Sequence, residues 1–392
     1  MMKKLFKVIA TICALVVVYY SAQFVTIKIQ EKLLEDSINA DQYTTEEYNE
    51  FQNELNNKTF YYYHNLPQEL KDAYISLYFS AVDFDEKCKV RLTEEEMTTV
   101  VDAVMYDNSE LFWLTGNYNY SVYSDYVEIS HEYRLDEKEA KKISKQIDKK
   151  IDEIVENMPQ YSTQFEKELY LHDYVCDNTV YDKNAPNLER QTAYGALLSG
   201  KTVCEGYARA VQLLLDEVGI KNYLIVGDTS DNNNELHMWN VVQIDGYNYH
   251  LDATWNDGAF TNNEQGYFYF NVTDSYIKKT HSNFNVENNN CVYDMANYFQ
   301  KNNTYIRVFT GFSNLINVTA DTLKTGENSI EFVFTNSSDY KRAIKEIKNN
   351  NLFFYYVEKS VKRSGRKLSA DKVTYSMVDE YNFLRITFEE VK

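Results

Sequence analysis

The sequence predicts an α+β fold, on three observations. Residues 202–218 carry helical apolar spacing between a polar start and a glycine stop. Two apolar, β-branched runs meet at Asp245-Gly246, a strong antiparallel hairpin signal. Beyond residue 285, segments ordered β-α-β-β suggest a small domain with an antiparallel sheet. A chain of 392 residues with 44% hydrophobic content supports two or three domains with sizeable cores, and its 3 prolines and 12 glycines leave little room for long flexible linkers. The expected divisions are an anchor at 1–28, a stalk at 29–50, an α/β domain with a linker helix at 51–158, a central domain at 159–286 and an α+β domain at 287–392.

Lys3, Lys4 and Lys7 precede a run from Val8 to Ile27 that carries no charge. Twenty residues of helix can cross a bilayer. A cleaved signal peptide is the rival, but Tyr20-Ser21-Ala22 puts a bulky tyrosine where a small residue belongs. An uncleaved anchor is therefore expected, with the lysines cytoplasmic and the bulk of the chain outside the membrane. A cleaved segment would leave the protein on the same side. Residues 29–50 read as a polar, acidic stalk with helical tendency. A helix follows over Glu94–Tyr106, with Met97, Val100, Val101 and Val104 on one face. Strand runs come next at Leu111–Leu114 and Tyr118–Tyr133, the second broken near Ser124-Asp125 by a hairpin. The charged stretch Glu137–Glu156 reads as a long helix with a solvated face.

The central domain holds the chemistry. Thr202-Val203-Cys204-Glu205 has the form of a capping box, and Ala208, Val211, Leu215 and Val218 continue at helical spacing up to Gly219. Cys204 then falls in the first turn, where unpaired N–H groups and the helix dipole stabilise an anionic sulfur. If Asp245-Gly246 is the whole loop, Ile244 faces Tyr247, Val242 faces Tyr249, Trp239 faces Asp252 and His237 faces Thr254. His237 and Asp252 are thus diagonal neighbours on one face, about 7–8 Å apart at the backbone and within side-chain reach. A one-residue slip would separate them. His250 shares that face opposite Val241, farther from the strand end, and reads as packed. A cysteine nucleophile, a histidine base and an orienting aspartate are the parts of acyl-transfer chemistry.

The stretch Tyr194–Ala208, centred on Val203-Cys204-Glu205-Gly206-Tyr207, resembles the nucleophile motif of the bacterial transglutaminase-like superfamily. His237-Met238-Trp239-Asn240 and Asp252-Ala253-Thr254-Trp255 are similar to its histidine and aspartate motifs. His172-Asp173-Tyr174 and Val180-Tyr181-Asp182 look like its leading helix and loop. The resemblance covers about residues 160–275. It implies a papain/transglutaminase-like catalytic core, with an antiparallel sheet and a nucleophile helix, and the triad Cys204, His237 and Asp252. The superfamily includes cross-linking enzymes, deamidating enzymes, peptidases and members without activity. The resemblance does not choose among them, and a non-catalytic peptide- or wall-binding module is the competing reading.

The expected substrate is a protein or peptide, with no cofactor and no metal. His172 and Cys176 are four apart on a helix and could share a metal, but no third and fourth ligand follows, so Cys176 reads as core packing. The remaining cysteines, Cys88 and Cys291 among them, are widely spaced and show no disulfide framework. A formal net charge of −19 disfavours nucleic acid and anionic membrane surfaces as partners. Contact with a membrane is expected through the N-terminal segment alone. Tyr194 and Trp239 are candidates for shaping the cleft.

In the C-terminal region Glu287–Asn290 reads as an asparagine-rich loop. Strand runs are expected at Tyr305–Phe309, Ser329–Phe334, Leu352–Val361, Val373–Val378 and Phe383–Glu389, with a helix at Asp339–Asn349.

Overall fold

The computed structural model describes residues 16–33, 45–160, 163–229, 236–258, 266–284, 290–348 and 351–391. The chain divides into two compact units, residues 1–152 and 153–392. Most of the asparagine-rich loop expected at Glu287–Asn290 lies outside the described residues.

The first unit contains helix α1 (16–33), α2 (Thr45–Asn57), α3 (Tyr61–Asn65), α4 (Lys71–Val82), strand β1 (Cys88–Val90), α5 (Glu94–Asp107), β2 (Leu114–Val122) and β3 (Val127–Tyr133). The long helix α6 (Glu137–Glu156) follows and matches the charged stretch read from the sequence. Helix α5 starts from a capping box of Thr93 and Glu96 and buries Met97, Val100, Val101 and Val104, the stripe its spacing predicts. Strands run in the order β1-β3-β2, antiparallel throughout. The run Leu111–Leu114 is a buried turn rather than a strand, with β2 beginning at its last residue. Helix α4 is buried on nearly every side, so it shows no amphipathic period for sequence reading to catch. Asp107 accepts the backbone N–H groups of Tyr62 and Tyr63 at 3.0 and 2.8 Å. Burial pushes its carboxyl up to about 7, against the pull of those bonds.

The described residues do not support the expected membrane span. Residues 1–15 lie outside the described residues, and among the described residues no helix is long and apolar enough to cross a membrane. In α1 the uncharged stretch ends at Ile27, and Lys28, Glu31 and Lys32 follow on the same helix.

The second unit opens with α7 (Gln164–Asn178), β4 (Val180–Tyr181), α8 (Asn187–Arg190), β5 (Lys201–Thr202) and α9 (Cys204–Glu217). Next come β6 (Asn222–Thr229), β7 (Leu236–Ile244), β8 (Tyr247–Leu251), α10 (Ala253–Asp257), α11 (Asp274–Ile277) and β9 (His281–Ser282). The central sheet has the order β8-β7-β6-β9, all antiparallel. Asp245 and Gly246 both take positive φ, 52° and 85°, as a type I′ two-residue turn requires. The register follows the count from that turn: Ile244 pairs Tyr247, Val242 pairs Tyr249 and Val241 pairs His250. Pairing stops at Asn240–Leu251, because Asp252 leaves the ladder to cap α10.

The C-terminal part comprises α12 (Tyr298–Lys301), β10 (Tyr305–Ile306), α13 (Ile316–Lys324), β11 (Ser329–Phe334), α14 (Ser337–Lys348), α15 (Asn351–Ser364), β12 (Leu368–Val378) and β13 (Phe383–Glu390). Its sheet has the order β10-β11-β13-β12. The expected strand at Leu352–Val361 is instead α15. Its buried residues, Phe353, Tyr356, Val357, Ser360 and Ser364, recur every three or four positions, and a helical period outweighs the local aromatic content. One apolar cluster fills this sheet and its helices. A second joins Phe268, Tyr269, Val272 and Ile277 to Phe299, Val333 and Phe383.

Candidate active site

Cys204 is the first residue of α9, after an extended Val203. As a first-turn residue its N–H has no acceptor within the helix. The expected capping box is absent. Thr202 is drawn into β5, which pairs with β4, and its hydroxyl donates to Arg190 O at 2.8 Å. Glu205 turns instead to Arg209, 2.9 Å away. The helix end agrees with its glycine stop: Gly219 has φ +70°. Gly206 is required for the start of α9 to sit where it does. A Cβ there would lie 1.9 Å from Thr202 Oγ1 and 2.8 Å from Thr192 O. Cys204 is half-buried, whereas Cys88, Cys176 and Cys291 are buried.

His237 is the second residue of β7. Asn240 on the same strand donates from Nδ2 to Ala208 O of α9 at 3.0 Å, which ties the histidine strand to the cysteine helix. His237 Nε2 lies 2.8 Å from Asp252 Oδ2, and the Cys204 side chain neighbours its ring and helps to raise its pKa. With Nε2 donating to the carboxylate, the ring offers Nδ1 to the sulfur. The structure thus brings the three residues named from the sequence to one place.

Asp252 is 1% exposed and His237 7%. Burial opposes charge on both, but the pair outweighs it. The Asp252 carboxylate and the neighbouring Cys204 side chain raise His237 well above the usual imidazole range. The two imidazoles around Asp252 hold its carboxyl well below the usual carboxylate range. The second imidazole is His281, whose Nε2 lies 3.1 Å from the same Oδ2. Trp255 N–H supplies a further donor to Oδ1 at 3.1 Å. His281 was not singled out in the sequence. It is an isolated histidine on a two-residue strand after the short α11, with no periodicity or motif to mark it, and only the folded sheet brings it to Asp252.

Two other groupings of the same residue types lie nearby. Trp239 Nε1–H donates to His250 Nδ1 at 3.0 Å, so His250 carries its proton on Nε2 and donates it to Asp274 Oδ1 at 2.9 Å. Cys291 also bonds Asp274, and burial pushes its thiol up. His250 and Cys291 are fully buried, which withholds both from a substrate. His172 Nδ1 meets Asp173 Oδ1 at 2.9 Å, and its Nε2 accepts from Asn256 Nδ2 at 3.0 Å. Cys176 packs beside it, donating to Ala253 O at 3.5 Å, and burial raises its thiol strongly. Ligand atoms of His237, Asp252 and His281, and of His250, Asp274 and Cys291, lie close enough for a metal. In both groups the nitrogens and oxygens are already joined by protons, so neither needs an ion to satisfy its polar atoms. Trp239 is fully buried and packs its ring near His237, the centroids 5.9 Å apart. Tyr194 is half-buried.

Residues 152–253 match the sequence model of the Transglutaminase-like superfamily. No curated protein matches the chain. Among solved structures, a TGase aligns at 15% identity with a TM-score of 0.25, over 43% of this chain and 50% of that one. A Cytophaga hutchinsonii protein ascribed to the cysteine proteases aligns at 15% identity with a TM-score of 0.26, over 35% of this chain and 61% of that one. The chain therefore spans less than two thirds of either protein's length, and at these scores neither likeness bears on fold or activity. The family match carries the assignment: residues 152–253 of this chain form a transglutaminase-like domain, and Cys204, His237 and Asp252 all lie inside it.

Proposed function

We propose that this protein is a cysteine acyl-transfer enzyme of the transglutaminase-like type, acting on carboxamide or amide carbonyls of a protein or peptide. The observation that carries the reading is one imidazole placed between the Cys204 side chain and the Asp252 carboxylate, with Nε2 2.8 Å from Oδ2. His237 takes the Cys204 proton, and the thiolate attacks the carbonyl carbon. The oxyanion that forms accepts the main-chain N–H of Cys204, a bond worth about 3–4 kcal/mol when well placed. The intermediate collapses by breaking the C–N bond. His237 returns the proton to the departing nitrogen, and ammonia or an amine leaves behind a thioester. Asp252 holds the imidazole by Nε2 and stabilises its charged form. Water or a primary amine then attacks the thioester, gives its proton to His237, and frees Cys204.

The acceptor decides the outcome: water gives deamidation or hydrolysis, and a lysine amine gives a cross-link. Incubation with glutamine-containing peptides, with and without an added primary amine and read by mass, separates these. Deamidated, cleaved or amine-bearing product that is lost in Cys204→Ala supports the reading. Peptide retained unchanged by wild type and Cys204→Ala alike would instead mark a binding module. Lys3, Lys4 and Lys7 ahead of the uncharged run Val8–Ile27 support a location outside the cytoplasm. Protection of the protein from protease added to intact cells, with loss of that protection on lysis, would overturn that placement.

A further inference from the structure

His281 lies beyond the segment matched by the family model, yet it shares Asp252 Oδ2 with His237. Strand β9 holds it at the sheet edge, opposite Thr229 of β6. Its other ring nitrogen, Nδ1, lies 2.9 Å from Thr280 Oγ1. Thr280 Oγ1 lies 3.1 Å from Tyr269 Oη, and Tyr269 Oη lies 3.2 Å from Tyr381 Oη, in the turn before β13. With the Thr280 hydroxyl turned to His281 at 2.9 Å rather than to Ile277 O at 3.4 Å, one assignment of protons joins the whole chain. Tyr381 donates to Tyr269, Tyr269 to Thr280, Thr280 to His281 Nδ1, and His281 Nε2–H to Asp252. All donors then point toward the carboxylate, and each bond polarises the next. His281 is 1% exposed and Tyr269 2%, so water does not compete along the chain's inner half.

We propose that His281 is a positioning residue of the active site, the last link of a hydrogen-bond chain that runs from Tyr381 in the C-terminal sheet region and fixes Asp252 Oδ2 for His237. The reasoning is steric as well as electrostatic. A carboxylate with a single imidazole partner can rotate about its own axis. Here Trp255 N–H holds Oδ1 and His281 holds Oδ2, so Asp252 has one orientation in which to meet His237. The proposal rests on the acyl-transfer reading above.

The test uses the full chain and the rate of iodoacetamide labelling of Cys204, located by peptide mass, from pH 5 to 9. The titratable groups facing His281 are Asp252, His237, His250 and Tyr269. His281→Ala should slow labelling below pH 7 by roughly tenfold, the lower end of what loss of an outer-shell partner costs. His281→Gln, whose amide N–H reaches a similar distance, should recover most of that rate. Thr280→Val keeps the packing but removes the donor to Nδ1. It should slow labelling in the same pH range with little change in Tm, and it serves if His281→Ala does not fold. Wild-type rates in Thr280→Val and both His281 variants would overturn the proposal. So would equal slowing in His281→Ala and His281→Gln that tracks their loss of Tm, since that is packing alone. If wild-type Cys204 labels no faster than in His237→Ala, the acyl-transfer reading falls and this inference with it. If wild type labels in a His237-dependent way and the His281 and Thr280 variants match it, only this inference falls.

Discussion

At the residue scale the site turns on how Asp252 is charged and held. Replacing it with asparagine keeps the shape and removes the charge that raises His237 against its burial. The imidazolium then loses its support, and Asp252→Asn should slow Cys204 labelling below pH 7 by at least about 100-fold, with Tm changed far less. A second residue, Glu168 of α7, behaves in the opposite sense. It is fully buried, one oxygen accepts Asn271 Nδ2 at 2.7 Å, and the other has no partner among the described residues. Burial pushes its carboxyl up to about 8. The unfolded chain releases this proton near pH 4.3, while the folded protein holds it to about pH 8. Between those values the folded state binds more protons, so stability from this group is full below the unfolded value and falls as pH rises. Glu168→Gln should therefore raise Tm at pH 8 and leave it nearly unchanged at pH 4, as thermal melts at the two pH values would show. Wild-type Tm at pH 8 in the glutamine variant would mean that Glu168 is not held neutral. Cys204, His237 and Asp252 were legible in the sequence because turn chemistry and strand period are local. Glu168 and His281 were not, since a buried carboxylate on a helix and a lone histidine acquire their roles from partners far along the chain.

At the element scale, two segments carry the geometry: the start of α9 and the β7–β8 hairpin. The hairpin was readable because Asp245-Gly246 specifies a two-residue turn, and turn and period together leave one register. The start of α9 was readable in position but not in cause. Thr202 and Glu205 have the spacing of a capping box, yet Thr202 is taken by β5 and Glu205 by Arg209, so tertiary partners outcompete the local motif. What seats the helix is close approach at Gly206. Gly206→Ala would drive a methyl into Thr202 Oγ1 and force α9 to shift. The expected cost is about 2–3 kcal/mol, together with slower labelling of Cys204, read by denaturant melts and alkylation on one preparation. A variant with native stability and native labelling would show that α9 can relax without disturbing the site. Helix α15 illustrates the converse limit of sequence reading. Its run Leu352–Val361 is aromatic and β-branched enough to suggest a strand, and the burial of every third or fourth side chain becomes visible only once the C-terminal sheet gives it a face to cover.

At the scale of the whole molecule, the segment that follows the transglutaminase-like domain shares an apolar cluster with the C-terminal sheet. Phe268, Tyr269 and Val272 come from the loop after α10, Ile277 from α11, and Val333 and Phe383 from β11 and β13. These side chains form one continuous core, so the sheet is part of what holds the loop carrying Tyr269, and through Thr280 what holds His281. This makes a cooperative melt of the second unit the expected behaviour. Tryptophan reports on it cleanly: Trp239 and Trp255 pack around His237, while Trp113 lies in the first unit. In a Trp113→Phe background, fluorescence therefore follows the candidate site region alone. Phe383 is fully buried in the shared cluster, and Phe383→Ala should cost about 3–5 kcal/mol. If the two parts are one cooperative body, that loss appears in full in the fluorescence transition of Trp239 and Trp255. If the transglutaminase-like domain folds independently, the fluorescence midpoint stays put while far-UV circular dichroism shows an earlier loss of the C-terminal sheet. Coincident, equally shifted transitions by the two probes would mean that the C-terminal sheet is a structural requirement of the candidate site rather than an appendage to it.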